Sequence, residues 1–252
     1  MSKLKNIEIY NERMAAGMID KLWFMNKIEC HTIVDFGCAD GTLLKCISDM
    51  APEMKLIGID NNAEMRKLAK ENVPTATIID INDLDDSIDY SNSVLVLSSV
   101  IHEIFAYNTI ADANILLKKL FSLNFKYIAI RDMFLSTDMP VVTSSIMQEN
   151  IKQRANKGYL DHFERIWGPI SWRENAIHYL LKYRYIENWD REVYENYFSM
   201  RFEDIFKNIP NAYKVDYKEH YVLPYIQDVV LNDFNILLTD KTHAKILLRR
   251  IN

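Results

Sequence analysis

The chain has 252 residues, of which 49% are hydrophobic and 26% charged, as in a globular domain large enough to bury a substantial core. Its six glycines and six prolines leave little room for a long flexible linker. The net charge of −5 argues against nonspecific binding to duplex DNA.

The chain carries no pattern typical of a membrane or secreted protein. No apolar run reaches the length of a membrane span, and Met1-Ser-Lys-Leu-Lys lacks the apolar stretch of a signal peptide. Cys30, Cys38 and Cys46 match no zinc-ligand spacing, so we expect reduced thiols. These observations predict a cytoplasmic protein with no membrane partner.

The first predicted element is an N-terminal helix. Apolar residues recur at helical spacing over residues 7 to 28, at Ile7, Met14, Met18, Leu22, Met25 and Ile28. Strand-like and helical segments then alternate. We predict strands at 32–36, 55–60, 75–80, 93–98 and 126–131, with helices at 41–50, 62–72, 99–105 and 109–123 between them. Such alternation predicts a parallel sheet covered on both faces, which binds ligands at the carboxyl ends of its strands.

The turn after the first strand is the most informative segment. Asp35 lies in the strand, and Gly37, Ala39 and Gly41 follow it before a helical pattern begins at Thr42. Small residues at a strand-to-helix turn let a ligand approach the backbone, and the helix start can bind an anion. Asp60 ends the next strand, where a ribose-binding carboxylate belongs in a nucleotide-binding fold.

Three segments are predicted along the chain. Residues 1–133 form the N-terminal helix and the cofactor-binding half, residues 134–211 form a helical insertion near the substrate, and residues 212–252 complete the sheet. Within the insertion, Ser171 and Glu174 have the spacing of a capping box opening a helix through about Tyr185. In the last segment we predict strands at 212–223 and 243–250 with a helix over 224–234 between them.

The segment Asp35-Phe-Gly37-Cys-Ala39-Asp-Gly41 resembles the first motif of class I S-adenosylmethionine-dependent methyltransferases, with alanine in place of the middle glycine. The resemblance implies a Rossmann-like, doubly wound, mostly parallel seven-stranded sheet with an antiparallel last strand and a helical insertion between strands 5 and 6. It also implies S-adenosylmethionine as cofactor. A dinucleotide-binding turn would instead have glycine at Ala39 and Thr42, so NAD fits poorly.

The resemblance implies roles for residues at successive strand ends. Asp60 and Asn61 would hold the ribose, and Asp80 and Ile81 would meet the adenine. Asp35 would act on the ammonium, directly or through water. Ser98 would lie in the active-site turn, and Tyr10 or Arg13 of the N-terminal helix would contact the carboxylate, unless that helix simply lies on the surface.

Methyl transfer is an in-line displacement in which the acceptor lies opposite the sulfur. The candidate catalytic residues are His102, Ser99 and Arg131. Two alternatives stay open: His102 packs as an ordinary histidine, and Arg131 pairs with Asp132. The family's Asn-Pro-Pro-Tyr motif for base amines is absent. We predict no metal site, because the neighbours His102 and Glu103 point in different directions on a helix.

The predicted insertion leaves the acceptor open. Residues 151–184 hold seven lysines or arginines against three acids, interleaved with aromatic residues. This composition suits single-stranded RNA or an anionic small molecule, and it equally suits a helical core with solvated charges. The alternative to an enzyme is a binding or regulatory protein that kept the fold and lost catalysis. No pattern indicates an oligomeric state.

Overall fold

The computed structural model describes residues 17–84 and 88–251. The strands in this part are β1 (Thr32–Phe36), β2 (Lys55–Ile59), β3 (Thr77–Ile79), β4 (Ser93–Ser98), β5 (Tyr127–Met133), β6 (Tyr213–Tyr221) and β7 (His243–Arg250). They form one sheet in the order β3-β2-β1-β4-β5-β7-β6. Strands β1 to β5 pair in parallel, and β7 runs antiparallel to both β5 and β6.

The first helix precedes β1, and the others occupy connections between the strands. They are α1 (Met18–Lys21), α2 (Thr42–Met50), α3 (Ala63–Asn72), α4 (Ile101–Tyr107), α5 (Ile110–Ser122), α6 (Ser145–Arg154), α7 (Lys157–Trp167), α8 (Arg173–Tyr183), α9 (Trp189–Glu192), α10 (Phe202–Ile205) and α11 (Pro224–Phe234). No helix in the described ranges combines the length and apolarity needed to cross a bilayer.

The predicted Rossmann-like, mostly parallel seven-stranded sheet with an antiparallel last strand is confirmed, and every predicted strand bound lies within about two residues of the observed one. Two local predictions are wrong. The N-terminal helix does not continue to Ile28, because α1 ends at Lys21 and a short 3₁₀ helix, Met25–Lys27, follows. The capping box does not form, because Trp172 is the N-cap of α8 and Glu174 pairs with Arg201 instead.

The strand register places three of the predicted site residues on one face of the sheet. Asp35 pairs with Val96, and Ser98 pairs with Arg131. Because side chains alternate along a strand, Asp35, Ser98 and Arg131 share a face at its carboxyl edge. The apolar core on that face includes residues of α1, α2 and α3. The N-terminal segment therefore covers the edge where the alternation predicts a ligand.

The opposite face packs against α4, α5 and α10 around Val34, Leu95 and Ile130. A third cluster of buried residues joins α6, α7 and α8 to α11. The helices between β5 and β6 thus share a core of their own with the helix between β6 and β7. The division into three segments stays a prediction.

Candidate functional site

The turn after β1 places residues with little or no side chain at the edge of the sheet. Gly37, Ala39 and Gly41 all have positive φ, at +77°, +47° and +80°. The N–H of Gly37 donates to the carbonyl of Ile59 at 2.8 Å, which fixes the turn against β2. Gly37 is exposed, and a Cβ there would lie 2.6 Å from Val100 Cγ2. Glycine is therefore required, and a ligand can reach its main chain.

Asp60 ties this turn to the end of β2. Its Oδ2 accepts from the N–H of Ala39 at 2.9 Å, and its Oδ1 accepts from the N–H of Asn62 at 2.8 Å. Asn61 lies exposed between them. An ionised carboxylate has about four lone-pair sites, so Asp60 can still accept from ligand hydroxyls.

Asp80 lies one strand further along the same edge. Its Oδ2 is 2.8 Å from Nη1 of Arg66, and that nitrogen also donates to the carbonyl of Asp60 at 2.8 Å. The Oδ1 atom accepts from the N–H of Asn82 at 3.0 Å, which caps the short 3₁₀ helix that begins at Ile81. Arg66 therefore links the two predicted ligand-binding acids.

The start of α2 already holds a carboxylate. Asp40 Oδ1 accepts from the N–H of Thr42 at 3.1 Å and from its hydroxyl at 2.7 Å. We predicted from the sequence that this helix start could bind an anion. Asp40 would repel a second anion at this helix start, so the carboxylate of a ligand must be bound by a positively charged group elsewhere in the site.

Lys21 of α1 supplies that cation beside the turn. The side chain is only 7% exposed, and burial together with the neighbouring Arg131 lowers the pKa of Lys21 to about 8. Burial raises the pKa of Asp35 to about 7, although the charge of Lys21 opposes this shift. Lys21 and Asp35 thus lie close enough at the end of β1 for the charge of each to affect the pKa of the other. The helical pattern did not indicate Lys21, since its apolar neighbours Met18 and Leu22 already account for the buried side.

Arg131 is held by α1 and by the loop after β4. Its Nε donates to Asp20 Oδ2 at 2.9 Å, and its Nη1 donates to Ser99 Oγ at 2.8 Å. Lys245 adds an ion pair to Asp20 at 2.6 Å. The alternative that Arg131 pairs with Asp132 is wrong, because consecutive strand residues point to opposite faces.

Asp132 pairs with His102 instead. His102 Nδ1 lies 2.6 Å from Asp132 Oδ1, and Asp132 Oδ2 accepts from the N–H of Ile101 at 2.6 Å. Burial alone would lower the pKa of His102, but the adjacent Asp132 carboxylate outweighs it and raises the value to about 9. His102 is therefore protonated at neutral pH when Asp132 is its only partner, and its orientation is fixed.

Two serines, Ser98 and Ser99, lie at the end of β4. Ser99 has φ +57°, which turns the chain sharply toward α4. Ser98 Oγ is buried and has no hydrogen-bond partner in the described part of the chain. An unsatisfied buried hydroxyl beside Asp35 and Arg131 fits a site that takes a polar ligand.

The segment after α9 contributes groups that sequence reasoning missed. Arg191 Nε donates to Glu195 Oε1 at 2.8 Å, and its Nη2 donates to Glu103 Oε1 at 3.2 Å. The hydroxyl of Tyr107 donates to Glu195 at 2.5 Å. No spacing along the chain links Glu195 to α4, so only the folded structure reveals the contact.

The comparisons with known proteins agree on the fold. The sheet order, the antiparallel strand and the glycine-bearing turn define the class I methyltransferase fold, as the resemblance implied. The chain is similar to the plantazolicin methyltransferase BpumL in complex with SAH, with 13% identity, a TM-score of 0.50 and coverage of 97% of this chain and 86% of that one. It is also similar to the methyltransferase domain of bacterial CtHen1-C, with 11% identity, a TM-score of 0.51 and coverage of 97% and 100%.

One curated relative matches a short stretch. The chain is 36% identical over 63 residues to a trans-aconitate 2-methyltransferase of Afipia carboxidovorans, and the match spans 25% of each protein. No protein-family model matches. The predicted contacts of Tyr10 and Arg13 lie outside the described residues.

Proposed function

We propose that the chain is an S-adenosylmethionine-dependent methyltransferase that binds its cofactor at the carboxyl edge of β1, β2 and β3. The observation that carries this proposal is the turn of Gly37 to Gly41, which has three residues of positive φ and leaves Gly37 exposed beside Asp35. The SAH complex of the similar protein BpumL supports the same ligand class. The bound cofactor would supply an electrophilic methyl group on a sulfonium.

The residues at this edge match the parts of that ligand. Asp60 would accept from the ribose hydroxyls, and Asp80 with Ile81 would border the adenine. The methionine end is a zwitterion, and Asp35 and Lys21 offer it one buried charge of each sign. Because Asp40 occupies the start of α2, Lys21 is the better partner for the carboxylate.

The acceptor would lie beside the end of β4. Ser98 and Ser99 border this position, and Arg131 fixes the Ser99 hydroxyl by donating to it. His102 would orient the acceptor by hydrogen bonding, because its raised pKa makes it a poor base at neutral pH. Positioning alone can supply several kcal/mol in such a displacement.

A small-molecule acceptor is favoured over RNA by the burial of the insertion's aromatic side chains. Phe163 and Tyr179 are fully buried in the core of α7 and α8, while Trp172 is 53% exposed. A stacking platform for bases needs several exposed rings. The aromatic pattern of residues 151–184 is thus explained largely by packing.

The test is transfer of labelled methyl from S-adenosylmethionine into separated metabolite, RNA and protein pools. We expect label in the metabolite pool and release of the demethylated product, S-adenosylhomocysteine (SAH). Label in RNA would show that RNA, and not a small molecule, is the acceptor. Tight cofactor binding without turnover in any pool would favour the alternative of an inactive, regulatory member of the fold.

A further inference from the structure

His102, Glu103 and Glu195, which we call the acid cluster, bring metal-ligating groups together between α4 and the segment after α9. A ring nitrogen of His102 and one carboxylate oxygen from each glutamate lie within 4.8 Å of one another. His102 is 5% exposed and Glu195 is 4% exposed. The side chain of Glu103 is 37% exposed, so the ligand atoms converge where the interior meets the surface.

Asp132 fixes the ring of His102. The Nδ1 atom is engaged at 2.6 Å by Asp132, so Nε2 is the nitrogen left for a further partner. Across residues 17–84 and 88–251, Nε2 forms no hydrogen bond. A carboxylate on one ring nitrogen and an open second nitrogen is the arrangement by which proteins orient a metal-binding histidine.

The two glutamates each keep one oxygen without a donor. Arg191 and Tyr107 both donate to Glu195 Oε1, and Arg191 reaches Glu103 through Oε1 as well. Within the described ranges, neither Oε2 atom accepts a hydrogen bond. Neither atom is among the fully buried ones that lack a partner in the described part of the chain, so both oxygens are open to a cation.

The surrounding charges also favour a cation. Besides the acid cluster, the carboxylates of Asp132 and Glu192 are buried in the same region. The lysine and arginine facing these acids are the buried Lys182 and the half-buried Arg191. Lys182 donates to the backbone carbonyls of Glu192 and Glu195 rather than to the carboxylates. The carboxylates thus outnumber the permanent positive charges.

We propose that Nε2 of His102 and the carboxylates of Glu103 and Glu195 bind one divalent cation, which displaces the proton that Nε2 carries at neutral pH. An imidazole with two carboxylates suits ions such as Mn²⁺ that accept both nitrogen and oxygen ligands. His102 follows Ser99 closely in the chain, so the ion would hold an oxygen atom of the acceptor in place of a direct hydrogen bond from His102. That last step rests on the proposed function, whereas cation binding does not. The sequence prediction of no metal considered only the neighbours His102 and Glu103.

The test is a titration of the purified full chain with Mn²⁺. Binding is measured as the loss of the free-ion signal in electron paramagnetic resonance. We expect one site per chain. Glu195→Gln and His102→Gln should weaken binding by about tenfold or more, as ligand-sphere changes usually do. Glu149→Gln removes an exposed acid of α6 outside the cluster and should leave binding unchanged.

SAH binding, measured in parallel by calorimetry, shows that each variant is folded. Absence of Mn²⁺ binding to a wild-type chain that binds SAH would overturn the metal site, and so would equal Mn²⁺ affinity in Glu195→Gln. Mn²⁺ binding that depends on the cluster in a chain that does not bind SAH would support the metal site and count against the proposed cofactor.

Discussion

Replacement of Lys21 by methionine tests how the methionine end of the cofactor is held. Met keeps the length of the buried side chain and removes its charge. A hydrogen bond to a charged group is worth about 1.5–3 kcal/mol. Because about 1.4 kcal/mol corresponds to tenfold in affinity, Lys21→Met should weaken SAH binding by about 10- to 100-fold.

The control ligand is 5′-methylthioadenosine, which has the adenosine and sulfur but no amino-acid end. Its dissociation constant, measured by calorimetry, should be the same for wild type and Lys21→Met, and this also shows that the variant is folded. Lys27→Met removes an exposed charge from the same segment and should affect neither ligand. An equal loss for both ligands in Lys21→Met, or unchanged SAH binding, would refute the assignment of Lys21 to the carboxylate.

Three further predictions follow from the same site. Gly37 has φ +77°, and Gly37→Ala would place its methyl carbon 2.6 Å from a methyl group of Val100. We therefore expect the free energy of unfolding, measured in urea, to fall by about 1–3 kcal/mol, whereas Gly158→Ala, in a helix, should cost less. Equal losses in the two variants would contradict this. Asp60→Ala removes an acceptor from two backbone N–H groups and from the ribose, so SAH binding should weaken by about tenfold or more; an unchanged dissociation constant would exclude this role. Asp35 must ionise to attract the ammonium, so SAH affinity should rise through about pH 7, and it should fall above about pH 8 as Lys21 loses its charge. Calorimetry across this range should show an optimum for SAH and none for 5′-methylthioadenosine, and parallel profiles would contradict the model.

The sequence predicted the sheet well because its signals are local. Buried parallel strands such as 93–98 are continuous apolar runs, and small residues mark the turn at Gly37 to Gly41. Each acid at a strand end could be placed at one edge, because parallel strands share their direction. The pattern of residues 243–250 predicted a strand, and its antiparallel direction came from the family resemblance.

The contacts between distant segments could not be predicted. The helical spacing over residues 7 to 28 assigns the buried side to Met18 and Leu22, so it gave no reason to expect functional charges at Asp20 and Lys21. Glu195 meets α4 only because the segment after α9 folds back over the sheet edge. Arg131 and Asp132 were correctly placed at the end of β5, but their partners depend on the face that each side chain takes.

The central claim is that the edge formed by β1 and β2 binds an adenosyl thioether or sulfonium. The most direct measurement is a crystal structure of the chain grown with saturating SAH. We expect the ligand to lie against Gly37 to Gly41, with its ribose on Asp60 and its amino-acid end between Asp35 and Lys21. Density for SAH at another surface, or an amino-acid end directed away from Lys21, would contradict it.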